Sequence, residues 1–402
     1  MDDILTPPER LRRAFAGEAV DRVPFAPKIW LDLAALLTNT AMRAVIEDPF
    51  LALKVMVDAG LVVGADGVRQ FILPARKTEQ DGETVFEIDE SGRRMGIIDM
   101  PGGWATYLFD PADFRLDDPH FIAHQNFWKS DEPFVKDISD VQKIVVPDKS
   151  FYEETGYGDF QRRMIAYAGD RIALFGDCDS ATLSFYIGFR GIERGLMDFI
   201  QDPGLVHAMM EKGVARSIER GKFNLDLGLR ILRLNDSTAN MSLISPKHWR
   251  EFIFPHMKTV CDELHNYSPD VKIYCHICGN VLPIIELLAE AGIDCIAPLD
   301  PLGGFSVADA RDRVGDNMVL MGGVDTLSFI QSNEAEITEE AQRCINEGLV
   351  DRGKFILSSG CAIPRASRKE ILQAVSTAAH TFELAGNLQN LYSVNTNCRI
   401  NC

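Results

Sequence analysis

Residues 271–280 read Val-Lys-Ile-Tyr-Cys-His-Ile-Cys-Gly-Asn, an apolar and aromatic run that closes on His276 and Cys278. β-Branched and aromatic residues at this density predict a short strand. Because side chains on a strand alternate between its two faces, His276 and Cys278 are expected to point the same way. The segment therefore predicts a strand whose end carries an imidazole and a thiol on the same face.

A second cysteine-bearing strand end lies near the C-terminus. Residues 353–359, Gly-Lys-Phe-Ile-Leu-Ser-Ser, lead directly into Gly360 and Cys361. One imidazole and two thiolates suit zinc, and three protein ligands with an open fourth position are typical of catalytic zinc sites. We therefore predict that His276, Cys278 and Cys361 bind one zinc ion. The alternative for each thiol taken alone is core packing, since cysteine is among the most buried residue types.

The two segments together resemble a known family pattern. His276-Ile-Cys278-Gly-Asn, followed much later by Ser-Ser-Gly-Cys361, resembles the zinc-binding His-x-Cys and distant Cys of corrinoid-linked methyltransferases in the uroporphyrinogen decarboxylase superfamily. Residues 10–24 resemble the opening helix and first strand of that superfamily, and residues 322–326 resemble its glycine-rich strand end. The resemblance implies a zinc ion and a corrinoid, cobalamin-type cofactor.

The corrinoid is expected to be bound by a separate protein. A corrinoid-binding domain is marked by Asp-x-His-x-x-Gly, and residues 118–123, Asp-Pro-His-Phe-Ile-Ala, come close but end in alanine. No spare Rossmann-like segment follows them. The predicted partners are therefore a corrinoid protein and a small methylated substrate.

Short apolar runs alternate with helix-sized stretches along most of the chain. Two early runs, residues 22–29 and 66–73, are predicted strands. The six later runs are residues 171–176, 229–234, 271–276, 292–297, 318–322 and 353–357. Eight strands alternating with helices predict an α/β fold, the (β/α)8 TIM barrel, whose chemistry is built at the carboxyl ends of its strands.

We predict a single barrel domain over residues 1–386, with an insert at residues 76–165 and a flexible tail at residues 387–402. The insert contains an alternating β-hairpin over residues 85–98, turning at Ser91-Gly92. It also contains an aromatic stretch, which is either a satellite core or a lid over a dry, apolar pocket. The aromatic residues are Trp104, Tyr107, Phe109, Phe114, Phe127, Trp128 and Phe134.

The composition excludes several classes of partner. A formal charge of −18 and a pI near 4.9 argue against nucleic acid, because binding to its phosphates needs clustered lysines and arginines. No apolar stretch is long enough to span a bilayer, and residues 1–8 do not have the form of a signal peptide. We expect a cytoplasmic protein with reduced cysteines that does not bind membranes. The oligomeric state is left open, with a homodimer as one alternative.

Two aspartates at strand ends are predicted catalytic residues. Some members of the resembled family supply a carboxylate as a fourth zinc ligand, and Asp236 follows the strand that precedes His276. The alternative for Asp236 is a helix cap or turn former. Asp177 and Asp179 lie at another strand end and are expected to orient substrate or to hydrogen-bond His276. Asp177, Asp236 or water is the expected proton donor.

Four further residues are candidates for substrate binding. Lys28 and Trp30 close the first predicted strand and are expected at the mouth of the barrel, with packing as the alternative for the tryptophan. Asn235 ends the strand before Asp236. Asn280 follows the zinc-ligand strand, and its alternative is to cap or orient the loop.

The predicted activity is a zinc-dependent methyl transfer between a methylated small molecule and the cobalt of the corrinoid protein. Enzymes of this family that methylate thiols are compact, so the long aromatic insert favours a bulky donor, an aryl methyl ether, and hence O-demethylation. The alternative is transfer from a methylcorrinoid to a thiol. Two rivals are decarboxylation of uroporphyrinogen and a non-catalytic corrinoid-binding module. Decarboxylation is disfavoured because residues 27–33 contain no arginine, and because Gly360-Cys361 stands where decarboxylases have a His-Gly pair.

Overall fold

The structure is a computed structural model of the chain. It describes residues 3–70, 73, 75–88, 91–99, 114–125, 130 and 132–384. The predicted tail and most of the predicted aromatic stretch lie outside the described residues.

In the described part of the chain, ten strands form two sheets. In chain order the strands are β1 Gly67–Arg69, β2 Lys77–Asp81, β3 Thr84–Ile88, β4 Arg94–Asp99, β5 Ala173–Asp179, β6 Ile231–Asn235, β7 Lys272–His276, β8 Cys295–Leu299, β9 Val319–Val324 and β10 Phe355–Ser359. Seven of them form one parallel sheet in the order β1-β5-β6-β7-β8-β9-β10. This curled parallel sheet with intervening helices confirms the predicted TIM-barrel class.

Helices connect the parallel strands. In chain order they are α1 Pro7–Phe15, α2 Leu31–Leu37, α3 Met42–Glu47, α4 Pro49–Val62, α5 Pro119–Ala123, α6 Ile138–Lys143, α7 Lys149–Glu154, α8 Tyr157–Ala168, α9 Leu183–Arg190, α10 Ile192–Gln201, α11 Pro203–Asp226, α12 Pro246–His248, α13 Phe254–Tyr267, α14 Ile285–Glu290, α15 Val307–Val314, α16 Ser328–Gln331, α17 Glu334–Gly348 and α18 Lys369–Thr381. Several begin where an acceptor side chain precedes a proline. Asp48, for example, accepts the backbone N–H of Phe50 at 2.9 Å, and Asp202 accepts that of Leu205 at 3.0 Å. Within the described ranges, none is long and apolar enough to cross a bilayer.

The first predicted strand, residues 22–29, forms only a single β-bridge. Phe25 pairs with Leu357 of β10, and the Phe25 carbonyl accepts the N–H of Asp66 at 2.7 Å, just before β1. Pro24 and Pro27 lack the N–H groups that a full ladder would need, which is why pairing stops there. The segment still lies between β10 and β1 and so occupies the eighth position of the barrel.

The insert contributes a separate antiparallel sheet in the order β2-β3-β4. The predicted hairpin is β3 and β4, with Phe86 opposite Ile97, and β2 extends it by one strand. The described part of the aromatic stretch packs elsewhere. Phe114 stacks on Phe134 with ring centroids 4.1 Å apart, and both rings contact Phe189 of α9 in the main core.

The barrel interior is apolar at its amino-terminal end. Helix α1 closes that end, with Phe15 contacting Phe175 of β5 and Tyr274 of β7 at centroid distances of 6.0 and 6.1 Å. This apolar layer includes Ala173, Ile231, Cys295, Ala297, Val319, Met321 and Ile356. Its side chains come from every one of the strands β5 to β10, as the three-layer filling of such barrels requires.

The interior becomes charged one layer further along the strands. Since side chains two residues apart share a face, the positions after Phe175, Ile231 and Tyr274 are Asp177, Arg233 and His276. The exposed fractions of these last three residues are only 4%, 4% and 2%. A buried charged layer therefore lies at the carboxyl ends of the strands, where barrels of this class carry their sites.

Candidate metal centre

Three soft donor groups converge at the carboxyl ends of β7 and β10. His276 Nε2 lies 3.0 Å from Cys278 Sγ, which lies 3.0 Å from Cys361 Sγ. All three ligand atoms lie within 4.8 Å of one another, and no other such group occurs in the described part of the chain. The distance between the sulfurs is far longer than a disulfide bond of about 2.05 Å, so both cysteines are free thiols.

The loop after β7 is shaped to bring Cys278 back toward His276. Gly279 has φ of +78°, a conformation that favours glycine, and its N–H donates to Asp300 Oδ2 at 2.9 Å. The loop after β8 approaches so closely that a Cβ on Gly303 would lie 2.5 Å from the Gly279 carbonyl carbon. Asp300 and the two glycines therefore fix the backbone beside Cys278.

The loop after β10 positions Cys361 and ties it to the start of the chain. Ser359 Oγ donates to the Cys361 carbonyl at 2.6 Å and accepts the backbone N–H of Lys28 at 3.1 Å. The Lys28 carbonyl accepts the N–H of Ile363 at 3.0 Å. Cys361 and Lys28, which are far apart in sequence, are thereby held on one backbone frame.

The electrostatics of the cluster favour the metal-binding form of two of the three donors, His276 and Cys361. Burial, followed by the charges of Lys28, Arg69 and Arg233, lowers the pKa of His276, so the imidazole is neutral. The hydrogen bond between the two thiols lowers the pKa of Cys361 to about 6 and raises that of Cys278. Neutral imidazole and thiolate are the forms that bind a metal ion.

A cationic side chain already touches the donor atoms. Lys28 Nζ contacts His276 Nε2 and lies 3.7 Å from Cys361 Sγ. Burial lowers the pKa of Lys28 to about 8, against the opposing effect of the neighbouring thiols. The donor set, one nitrogen and two sulfurs around a place that attracts a cation, fits zinc.

Comparison with known proteins identifies the family. The family model described as uroporphyrinogen decarboxylase (URO-D) matches residues 127–382, well over half of the chain. The chain belongs to the uroporphyrinogen decarboxylase family. This membership confirms the superfamily resemblance of its sequence motifs.

Similar proteins are named either as methyltransferases or as decarboxylases. The methylated-thiol–coenzyme M methyltransferase of Methanosarcina mazei is 26% identical over 174 residues, which cover 43% of this chain and 44% of that protein. The chloroplastic uroporphyrinogen decarboxylase 2 of Arabidopsis thaliana is 24% identical over 386 residues, covering 94% and 86%. The match to the methyltransferase thus spans less than half of that protein.

A solved structure shares the fold. The methyltransferase from Methanosarcina mazei superposes with a TM-score of 0.66 at 16% identity, covering 93% of this chain and 98% of that one. At this identity the likeness supports the barrel architecture of this URO-D family member and nothing finer.

Asp236, the predicted fourth ligand, lies beside the centre but outside the three-residue donor group. Its carboxylate accepts the backbone N–H groups of Leu183 and Ser184 at 3.2 and 2.7 Å, at the start of α9. Its own N–H donates to the His276 carbonyl at 3.0 Å. Burial raises the pKa of Asp236 to about 6. These contacts match the alternative role of Asp236 as a helix cap. The helix that it caps is α9, which follows the neighbouring strand β5.

Asp177 and Asp179 are both bound by arginines. Asp177 accepts from Arg233 Nε at 2.7 Å and from Arg220 at 3.4 Å, and Asp179 accepts from Arg220 at 2.7 Å. The expected hydrogen bond between the described residues Asp177 and His276 is not formed, because these guanidinium groups hold the carboxylate. Both aspartates therefore build the wall of the site.

Besides Asp179, four other predicted substrate-binding residues are divided between the site and its scaffold. Lys28 touches the donors, and the half-buried Trp30 ring lies 5.7 Å from the Lys28 ammonium. Asn235 accepts from the Ser237 hydroxyl at 3.0 Å, and Asn280 accepts the N–H of Leu282 at 3.2 Å. Asn280 thus orients its own loop, which was the alternative to substrate binding in the sequence analysis.

Two buried residues of the site escaped sequence analysis. Asp300 follows β8 and accepts a hydrogen bond from the loop that carries Cys278. Its position directly after an apolar run could have marked it in the sequence as a site residue. Arg69 ends β1 with an exposed fraction of 6%, and its guanidinium lies 5.6 Å from the Trp30 ring centroid. A charged residue closing the apolar run Gly-Val-Arg was a comparable signal for Arg69.

Proposed function

We propose that this chain is a zinc-dependent methyltransferase that moves a methyl group between a methylated small molecule and a separate corrinoid protein. The observation that carries the proposal is the convergence of His276, Cys278 and Cys361 at the mouth of the barrel. The name of the methylated-thiol relative supports it. Other relatives are named as decarboxylases. Decarboxylation would not require a cluster of two thiols and an imidazole.

Three side chains of the protein would hold the zinc ion. Bound there, zinc supplies a Lewis acid whose fourth position accepts the sulfur or oxygen that carries the methyl group. Two thiolates and a neutral imidazole balance the charge of the ion, and Asp300 keeps the Cys278 loop in place through Gly279. The corrinoid of the partner protein supplies the cobalt that gives or takes the methyl group.

The walls of the barrel bury the imidazole of the centre, while Cys278 and Cys361 are partly exposed at its mouth. His276 has an exposed fraction of 2%, and the charged layer beside it is closed by ion pairs between Asp177, Arg220 and Arg233. Beside the donors, the buried Lys28 places a positive charge, where it attracts developing negative charge on the sulfur or oxygen leaving group. The chain thus contributes binding, orientation and charge.

Two classes of methyl donor are proposed for testing. An aryl methyl ether is favoured by the length of the aromatic insert, although Phe114 and Phe134 of that insert pack into the main core. A methylated thiol is favoured by the name of the relative from Methanosarcina mazei. Both place a heteroatom next to the methyl group, as an open zinc position requires.

The test combines metal analysis with a donor series. Zinc is measured by plasma mass spectrometry on untagged protein prepared without chelators, and near-stoichiometric zinc is expected. The same protein is then mixed with cob(I)alamin and either methoxyarenes, methylated thiols or uroporphyrinogen, following methylcobalamin by its absorbance and decarboxylation by product analysis. Protein without zinc, or decarboxylation as the sole activity, would contradict the proposal.

A further inference from the structure

The side chain of Lys28 enters the metal centre from the segment before α2. Its ammonium contacts His276 Nε2 and lies 3.7 Å from Cys361 Sγ. A lysine ammonium has three hydrogen-bond donors and no acceptor, so the contacting atoms of the centre act as acceptors. Lys28 is therefore bound by a nitrogen and a sulfur that belong to the metal-binding donor group.

The imidazole of His276 can serve only one cation at a time through Nε2. A neutral imidazole has one N–H and one lone pair, and the nitrogen that faces an ammonium must be the one with the lone pair. A zinc ion needs the same lone pair, at a distance of about 2.0–2.1 Å from the nitrogen. An ion at that distance leaves no room for the ammonium on Nε2. Lys28 and zinc therefore exclude each other at His276.

The backbone fixes Lys28 beside the centre. Its N–H donates to Ser359 Oγ at 3.1 Å, and its carbonyl accepts the N–H of Ile363 at 3.0 Å. These two partners flank Cys361 in the loop after β10. Only 7% of Lys28 is exposed, so the ammonium is not taken up by bulk water. The competing cation is thus built into the same frame that positions one of the metal ligands.

The half-buried ring of Trp30 offers the ammonium a second partner. The ring centre lies 5.7 Å from Lys28 Nζ, within the range of cation–π contact. The Arg69 guanidinium lies 5.6 Å from the same ring centre, so the ring is shared by two cations and holds Lys28 less well than the donors do. A buried ammonium without any partner would be strongly unfavourable. Trp30 therefore lets zinc displace Lys28 from Nε2, at a cost in free energy.

We propose that Lys28 is an internal competitor of the metal centre: zinc must displace its ammonium from the donors, and Lys28 thereby lowers the affinity for zinc. The proposal rests on the proposed function for the identity of the metal. A lowered affinity keeps the ion exchangeable, so the occupancy of the centre follows the supply of zinc. The sign of the effect is decisive. A lysine that merely supported the loop of Cys361 would raise zinc affinity, whereas a competitor lowers it.

Zinc affinity measured by chelator competition tests the proposal. Lys28→Met puts a side chain of similar length, without charge or hydrogen-bond donor, beside the donors. Its zinc affinity is expected to rise by about 10- to 100-fold, because a positive charge within a few ångströms of the ion has been removed. Lys28→Arg keeps the charge and should show no such rise.

The matched control is Lys272→Met, which removes the same charge elsewhere in the barrel. Lys272 begins β7 and pairs with Asp294 at 3.0 Å, at the opposite end of the strand from His276. Its zinc affinity should equal that of the unmodified protein. The control therefore separates contact with the donors from a general change in the charge of the chain.

The Trp30 ring provides an independent test. Trp30→Leu removes the second partner of the ammonium, so zinc affinity should fall several-fold while Lys28 is present. In Lys28→Met no ammonium has to be displaced, and the same Trp30 substitution should leave zinc affinity unchanged. The four proteins form a double-mutant cycle that measures the coupling. If Lys28→Met does not fold, Lys28→Gln takes its place in the cycle.

The outcomes separate this inference from the proposed function. Equal or weaker zinc affinity in Lys28→Met would overturn the competition and leave the zinc centre standing. Zinc bound by Lys28→Met but not by the unmodified protein would support the competition and contradict the proposed function. Zinc in neither protein would overturn both.

Discussion

Two neighbouring parts of the barrel mouth bury charged or reactive groups in opposite ways. Around β5 and β6, the arginine–carboxylate network pairs Asp177 and Asp179 with Arg216, Arg220 and Arg233 at 2.7 to 3.4 Å. Around β7 and β10, the metal centre instead brings three donor groups within 4.8 Å of one another. Removing one partner of a buried ion pair is destabilising because it leaves an unpaired buried charge, whereas clustered imidazole and thiol donors are suited to hold a metal ion.

The contrast separates scaffold from chemistry. The network fixes the strand ends and the long helix α11 with internal partners, so its loss should affect stability first. The metal centre contributes soft donors that are suited to hold a metal ion, so its loss should affect metal binding and activity first. The predictions below test this division.

The largest effect is expected for the cysteines of the centre. Cys278→Ala and Cys361→Ala each remove one of three ligands, so bound zinc should be lost and methyl transfer should fall by about 10³-fold or more, corresponding to several kcal/mol of lost transition-state stabilisation. Metal content and the rate of methylcobalamin formation measure this. Cys344→Ala, at a buried cysteine outside the centre, should keep its zinc. Full zinc in both ligand variants would abolish the distinction between the two regions.

The second prediction concerns the network. Asp179→Asn leaves Arg216 without its buried carboxylate and Arg220 with only the longer pair to Asp177. The free energy of unfolding should fall by about 3–5 kcal/mol while the zinc content stays unchanged. Denaturant unfolding and metal analysis give the two values. Asp262→Asn, in an exposed pair with Lys258, should change stability by less than about 0.5 kcal/mol. Loss of zinc in Asp179→Asn would show that the regions are not independent.

The effect of Asp179 should depend on pH in a defined direction. Burial raises its pKa, but Arg216, Arg220 and Arg233 outweigh burial and hold the pKa below the ordinary value of 3.8. A carboxylate with a depressed pKa in the folded state contributes stability above its unfolded pKa and loses it as the pH falls. The difference in unfolding free energy between unmodified protein and Asp179→Asn should therefore be largest near neutrality and shrink below about pH 4.

A smaller effect is expected for the support of the Cys278 loop. Asp300→Ala removes the acceptor of the Gly279 N–H and should weaken zinc affinity by about 10- to 100-fold, whereas Asp300→Asn keeps an acceptor oxygen and should lose less. Chelator competition measures the affinity. The control is Asp309→Ala, which removes a carboxylate that caps α15 away from the centre. Equal zinc affinity in all three variants would remove Asp300 from the centre.

The smallest effect is expected for the aromatic insert. Trp104 and Trp128 lie outside the described residues, and the lid hypothesis for them comes from the sequence alone. Substitution of either by alanine should change the ratio of rates with methoxyarenes and methylated thiols several-fold without altering zinc content. Steady-state rates with both donors check it. An unchanged ratio would end the lid argument and the preference for a bulky ether that rests on it.

Much of the fold and the donor set follows from local sequence. Short apolar runs predict strands, because strand formation depends largely on neighbouring residues. The regular alternation of these runs with helix-sized stretches predicts the barrel. The sequence spacing also predicted that His276 and Cys278 lie together. In the structure β7 ends at His276, and the loop through Gly279, not strand alternation, brings Cys278 back to it. The first predicted strand is reduced to a bridge by Pro24 and Pro27, and the second is shorter than predicted, at Gly67–Arg69.

The partners of the buried charges were decided by tertiary structure. From the sequence Asp177 is a predicted catalytic residue and Asp179 a predicted substrate-binding residue. In the structure both carboxylates are bound by arginines of α11 and β6, which lie 41 to 56 residues further along the chain. Arg69 and Asp300 join the site only because barrel closure brings β1 and β8 beside β7 and β10. Local periodicity sets which face a side chain occupies, while long-range packing determines what that side chain meets there.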